Sequence, residues 1–101
     1  AGTADGLWVS ASLLHLPKAE AEMALRGFYR VLRPGGIMYL SLKEGTGSEW
    51  RRESYGHAAP RYFSYWQAAE LDGALREAGF DVVEGWRDEA ASIWLIRIVV
   101  K

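Results

Sequence analysis

The chain has no cysteine, three prolines and two histidines in 101 residues. Without cysteine there is neither a disulfide framework nor a thiolate metal site. With His15 and His57 as its imidazoles, it is too poor in nitrogen ligands for a zinc cage, and no metal is expected. Charge of one sign is lacking too: 12 basic residues face 13 acidic ones, a formal balance of −1. That gives no support to nucleic-acid binding. Long hydrophobic runs are absent: the most apolar stretch, Ile93–Val100, is interrupted by Arg97 and is too short to span a bilayer. The opening Ala-Gly-Thr-Ala-Asp-Gly has neither the basic region nor the apolar core of a signal peptide. These absences lead to the expectation of a cytoplasmic protein with no membrane partner.

What is present is a folding composition. Half of the residues are apolar and 13% are aromatic, which argues for a globular chain. The length allows one domain at most. Residues 9–42, "VSASLLHLPKAEAEMALRGFYRVLRPGGIMYLSL", read as one parallel crossover unit. Leu7–Ser10 is a short strand, and Leu14-His15-Leu16-Pro17 is the loop after it. Pro17 suits the first turn of a helix, where its absent N–H is not needed. The helix runs to about Leu32, with Ala21, Leu25, Phe28, Tyr29 and Leu32 on one apolar stripe. Pro34-Gly35-Gly36 is expected to stop it. Ile37–Leu42, apolar on both faces, reads as a sandwiched parallel strand.

Residues 43–63 then read as a long irregular segment of the kind that forms functional lids or is disordered. Ser64 and Gln67 fit a capping box opening a second helix, which Gly79 closes in a left-handed cap. Asp81–Trp86 is a third strand, Asp88–Ala91 a turn region, and Ser92–Val100 the fourth and most apolar strand. The third and fourth strands are joined too closely for a helical crossover, so they should pair antiparallel. Trp8, Trp86 and Trp94 read as core or sheet-face residues. Arg97, inside an apolar strand, is expected near the strand's exposed end or paired with an acid.

This order resembles the C-terminal half of a class I S-adenosylmethionine-dependent methyltransferase of the small-molecule type. The stretches that carry the resemblance are "DGLWVSASLLHLPKAEAEMALRGFYRVLRPGGIMYLSLKEG" (5–45) and "RYFSYWQAAELDGALREAGFDVVEGW" (61–86). The Leu-Arg-Pro-Gly-Gly helix stop, the Leu-Leu-His-Leu loop and the aromatic run before the second helix are all common in that family. The resemblance implies an α/β class and a partial Rossmann-like fold. Its four-stranded mixed sheet would have three parallel strands, one antiparallel C-terminal strand and two main helices. On this reading residues 1–101 form a single incomplete domain. It lacks the family's first three strands, and with them the glycine-rich loop and the acidic residue that hold the cofactor.

The resemblance also implies the site. Ser10, Ala11 and Ser12, at the carboxyl end of the first strand, would line the S-adenosyl-L-methionine and substrate pocket, and small residues suit a close approach of ligand to backbone. His15 is a candidate general base, since imidazole titrates near neutrality. Lys43 and Glu44 would frame the substrate mouth, with Arg51, Arg52 and Tyr62 in the 43–63 loop on the substrate side. The implied partner is a small-molecule acceptor, and the piece alone is expected to be inactive. A competing reading is a non-catalytic interaction module. The first strand (7–10) would present an unpaired edge to a second copy or to a missing N-terminal half. A nucleotide-binding dehydrogenase half fits less well, because that fold does not usually finish on a tight hairpin.

Overall fold

The computed structural model describes residues 2–51, 61–89 and 93–101. Strand β1 (Ala4–Ser10) leads through a short 3-10 turn (Leu13–His15) into helix α1 (Lys18–Val31) and strand β2 (Leu32–Lys43). Strands β3 (Ser48–Arg51) and β4 (Arg61–Ser64), helix α2 (Ala68–Ala78) and strands β5 (Asp81–Asp88) and β6 (Trp94–Val100) follow. The main sheet has the order β1-β2-β6-β5. β1 and β2 run parallel, and β6 is antiparallel to both β2 and β5. Three strands therefore point one way and the last is reversed, as the sequence implies.

Alternation along the strands sorts their side chains. Val9, Met38, Leu40, Leu42, Leu95 and Val99 point to one face and are buried. α1 covers that face with Ala21 and Leu25, and α2 with Leu71 and Leu75. Burying each leucine of this kind contributes roughly 1.5–3 kcal/mol before entropy is counted. The opposite face stays open. Trp8 is 73% exposed and lies flat on Tyr39, ring centres 3.9 Å apart, and Ile37 and, on β5, Trp86 are exposed on the same face. The tryptophan expectation is met for Trp8 and Trp86 as sheet-face residues.

Four local expectations are corrected. Pro17 sits at the N-cap of α1 with extended backbone, one position ahead of the first turn. α1 ends at Val31, and Leu32 is already extended, so Pro-Gly-Gly acts from downstream and does not itself cap the helix. Proline disfavours helical backbone in the residue before it, so the helix has to end upstream of Arg33. Gly35 and Gly36 instead shape the irregular start of β2. Gly35 has φ 82°, and a Cβ on Gly36 would stand 2.9 Å from the Arg33 carbonyl oxygen.

Third, 43–63 is not structureless throughout. β3 and β4 pair antiparallel, with Trp50 opposite Tyr62 and Glu49 opposite Phe63. The cross-strand aromatic pair Trp50–Tyr62 supports a two-stranded ladder. Fourth, the capping box lies one turn later: Gln67 is the N-cap of α2, paired reciprocally with Glu70. Ser64 belongs to β4, is fully buried, and donates its hydroxyl to the Leu14 carbonyl at 3.4 Å. The chain stays extended beyond it because Tyr65 and Trp66 donate their N–H groups to Gly47 and Lys43. The left-handed cap at Gly79 is present, with φ 110°.

Arg97 is 7% exposed and in mid-strand, not near an end, and it pairs with an acid: Nε donates to Asp72 Oδ1 at 2.7 Å. Its guanidinium crosses Gly85, where a Cβ would come within 2.8 Å of Arg97 Cδ.

Candidate functional site

In a parallel α/β sheet the carboxyl ends of the strands carry ligands. Here β1 and β2 end side by side, Ser10 opposite Ser41. The two hydroxyls lie 3.4 Å apart. The chain then turns sharply at Ala11, whose φ of 54° is a left-handed value that alanine rarely adopts. Two contacts hold it there: Ala11 N–H faces the Ser41 carbonyl at 3.3 Å and the Ser41 hydroxyl at 3.2 Å. Ser12 follows, exposed, at the start of the 3-10 turn. Ser10, Ala11 and Ser41, with Tyr39, Trp94 and Ile96, line a cleft of about 260 Å³ on the open face of the sheet.

The next turn brings His15 against β4. A carbonyl oxygen only accepts, so the 3.1 Å contact between His15 Nδ1 and Tyr62 O makes Nδ1 the protonated nitrogen. In the neutral ring the lone pair is then on Nε2. The imidazole packs 4.8 Å from the Phe63 ring, centre to centre. Lys43, at the end of β2, also approaches the Phe63 ring, its ammonium 5.3 Å from the ring centre. Tyr62 meets Trp50 edge to face at 5.3 Å, and Trp50 is 69% exposed.

The structure thus brings His15, Tyr62 and Lys43 together around Phe63 at the rim where β1 and β2 end. Ser10 and Ala11 stand at the adjoining cleft. Glu44 is engaged elsewhere: it accepts from Arg87 at 2.8 Å, ties its N–H to Ile93, and bridges to Trp66. Arg51 holds backbone register opposite Arg61, and Arg52 lies outside the described residues, as does His57. Ser41, Tyr39, Phe63 and Trp94 were not singled out as site residues by sequence. A hydroxyl at position 41 inside an otherwise apolar strand was the one available signal. Among the described residues no group of acids and histidines could hold a metal ion, and no helix is long and apolar enough to cross a membrane.

With this geometry the chain can be set beside known proteins. No family model and no curated protein match it. Solved structures do. 1,6-didemethyltoxoflavin-N1-methyltransferase of Burkholderia thailandensis, solved with 1,6-didemethyltoxoflavin and S-adenosylhomocysteine, matches 96% of this chain and 43% of its own at TM-score 0.75 and 26% identity. A SAM-dependent methyltransferase of Methanosarcina mazei matches 99% of this chain and 60% of its own at TM-score 0.85 and 17% identity. The [4+2]-cyclase SpnF matches 99% and 50% at TM-score 0.70 and 18% identity. The fold is therefore the Rossmann-like fold of class I S-adenosylmethionine-dependent methyltransferases. The chain spans about half the length of these structures. SpnF shows that the same fold also carries a cyclase, so chemistry has to be argued from the site.

Proposed function

We propose that the chain provides the acceptor-side half of a site that moves a methyl group from S-adenosylmethionine to a small molecule. The observation that carries this is the left-handed turn at Ala11, locked to Ser41 beside Ser10, at the carboxyl ends of two parallel strands. Backbone strain held by hydrogen bonds at a strand exit is a feature of ligand sites. The residues fit part of such a cofactor: small side chains let it approach the backbone, and the two serine hydroxyls offer hydrogen bonds. When bound, the cofactor supplies a methyl group on a positively charged sulfur. The chain's own residues do the rest. The Ser10–Ser12 turn holds one side of the ligand, and Tyr62 and Trp50 cover the mouth. His15 takes the acceptor's proton at Nε2 while Tyr62 O holds Nδ1–H. Lys43 stands on the substrate side. Glu44 shapes that side through its bond to Arg87.

The remaining contacts would come from polypeptide docked along the outer edge of β1. Binding of S-adenosylhomocysteine by residues 1–101 alone should therefore be weak. Calorimetry tests this. The expected result is a measurable but sub-saturating heat at micromolar ligand, reduced in Ser41→Ala. No heat even at millimolar ligand removes the proposal, and a micromolar Kd removes the half-site part of it.

A second reading is favoured by a different observation. Among the described residues the outer edge of β1 has no strand partner, and Trp8 projects next to it. Such an edge templates strand addition, so the chain would be a pairing module with no chemistry of its own. Light scattering of a stable dimer that ignores S-adenosylhomocysteine is the result that selects this reading.

A further inference from the structure

On its outward side α1 carries Met23, Arg26 and Arg30 along one stripe, at i, i+3 and i+7. With Tyr29 of the same helix and Ala78 of α2 they line a concavity of about 390 Å³. It lies on the helical side of the sheet and shares no residue with the cleft at Ser10 and Ser41. Tyr29 is its fixed wall. That ring meets Phe80 edge to face at 5.2 Å, and the Lys101 ammonium stands 4.6 Å from its centre. Met23 is 63% exposed, an uncovered and adaptable thioether in a concave place.

The two arginines carry charge that the fold does not use. The ion pairs of the described residues join Lys18 to Glu70, Arg33 to Asp5, Arg87 to Glu44 and Glu89, and Arg97 to Asp72. Arg26 and Arg30 are in none of them. Glu22, one turn before Arg26, and Glu77, beside Ala78, are in none either and stand outside the lining. The C-terminal ends of α1 and α2 each bring about half a negative charge, less in sum than two guanidiniums. Arg26 and Arg30 are one turn apart, a spacing of about 5–6 Å between Cβ atoms. Each guanidinium offers a fork of parallel N–H donors. One carboxylate fills one fork. A phosphate monoester, with three free oxygens and nearly two charges, can take both.

We propose that this concavity binds a small phosphate monoester carrying an apolar group, with Arg26 and Arg30 on the phosphate and Met23 and Tyr29 against the apolar group. It stands independently of the methyl-transfer reading. The chain's two methionines give a local measurement. In a sample labelled with 13C at the methionine methyls, phenyl phosphate should shift Met23 and leave Met38, which is fully buried, unmoved. Arg26→Gln and Arg30→Gln should each weaken phenyl phosphate about tenfold, the scale of one charge-assisted contact, and Arg26→Lys by less, because it keeps the charge without the fork. Benzoate, with its single carboxylate, and inorganic phosphate, with no apolar group, should each bind about fivefold more weakly or worse. Both arginines are exposed, so an unchanged urea midpoint is expected for the variants. Should a variant unfold, the wild-type contrast between phenyl phosphate and benzoate still decides. Equal phenyl phosphate binding by wild type and the Arg26→Gln, Arg30→Gln double variant overturns the proposal. So does benzoate binding as well as phenyl phosphate, or a Met38 shift as large as that of Met23. Inorganic phosphate binding as tightly as phenyl phosphate overturns the part played by Met23 and Tyr29.

Discussion

His15 donates its Nδ1–H to the backbone carbonyl of Tyr62 across 3.1 Å, joining the loop after β1 to the β3–β4 ladder. The two segments are 47 residues apart in sequence. This contact fixes which ring nitrogen can act. NMR of a 15N-histidine sample should therefore show the Nδ1–H tautomer for His15 at high pH. His15→Gln should leave the fold intact while removing any base function. Phe63→Ala should return the imidazole to the Nε2–H form and cost about 3 kcal/mol, as large-to-small core changes do. An Nε2–H tautomer in the wild type would show that the bond does not form in solution.

Arg97 and Asp72 offer a stability test. The pair is nearly dry on the arginine side, so removing the acid strands a buried guanidinium. Asp72→Asn should lower unfolding free energy in urea by about 2–3 kcal/mol, less than a fully enclosed pair because Asp72 reaches solvent. Arg97→Met combined with Asp72→Asn should recover part of that loss, because an apolar side chain tolerates the site better than an unpaired charge. Equal losses in the single and double variants would mean the pair is not what stabilises position 97.

Gly79 is needed for two independent reasons. Its φ of 110° is poorly open to other residues, and an added Cβ would fall 2.8 Å from Tyr29 Cε2. Tyr29 in turn packs edge to face on Phe80 at 5.2 Å. Gly79→Ala should cost about 2 kcal/mol or more, exceeding the ordinary penalty for lost backbone freedom. Gly73, with open space around its Cβ position, is the control: Gly73→Ala in α2 should stabilise by about 1 kcal/mol. Thermal unfolding of both variants checks the contrast.

The open sheet face should make the isolated chain self-associate. Trp8, Ile37 and Trp86 expose apolar surface on one side, next to an unpaired strand edge. Strands apolar on both faces normally lie inside a layered fold. Sedimentation should show a mass that rises with concentration, and Trp8→Lys should reduce that rise. A monomer at high concentration would mean that neither the edge nor the face is sticky enough to recruit a partner.

Long-range order was readable from the chain where physics is local. The Ala21–Leu32 stripe, the Gly79 cap and the short link between β5 and β6 each dictate their own geometry, and the link makes β5 and β6 antiparallel neighbours; the rest of the order β1-β2-β6-β5 does not follow from them. Other features depend on distant partners. Ser64 looks like a helix cap until one knows that β3 pulls it into a ladder. Pro34 stops α1 at a distance by acting on Arg33. Of the candidate site, Ser10, Ala11, His15 and Lys43 stand at or just after strand ends, while Tyr62 lies within β4, which reads as irregular from sequence. Ser41 and Trp94 could not be read as site residues, because only the register of β2 against β1 and β6 brings them to the cleft. Glu44 was drawn toward Arg87 by a strand that sequence spacing cannot position.

The account depends most on the turn at Ala11 facing the methyl donor. An amide NMR titration of the 15N-labelled chain with S-adenosylhomocysteine tests this directly. The expected outcome is a set of shifts centred on Ser10, Ala11, Ser12 and Ser41, growing without saturation, with α1 and α2 unmoved. Shifts confined to the helices, or none at the β1 and β2 ends at millimolar ligand, would contradict it.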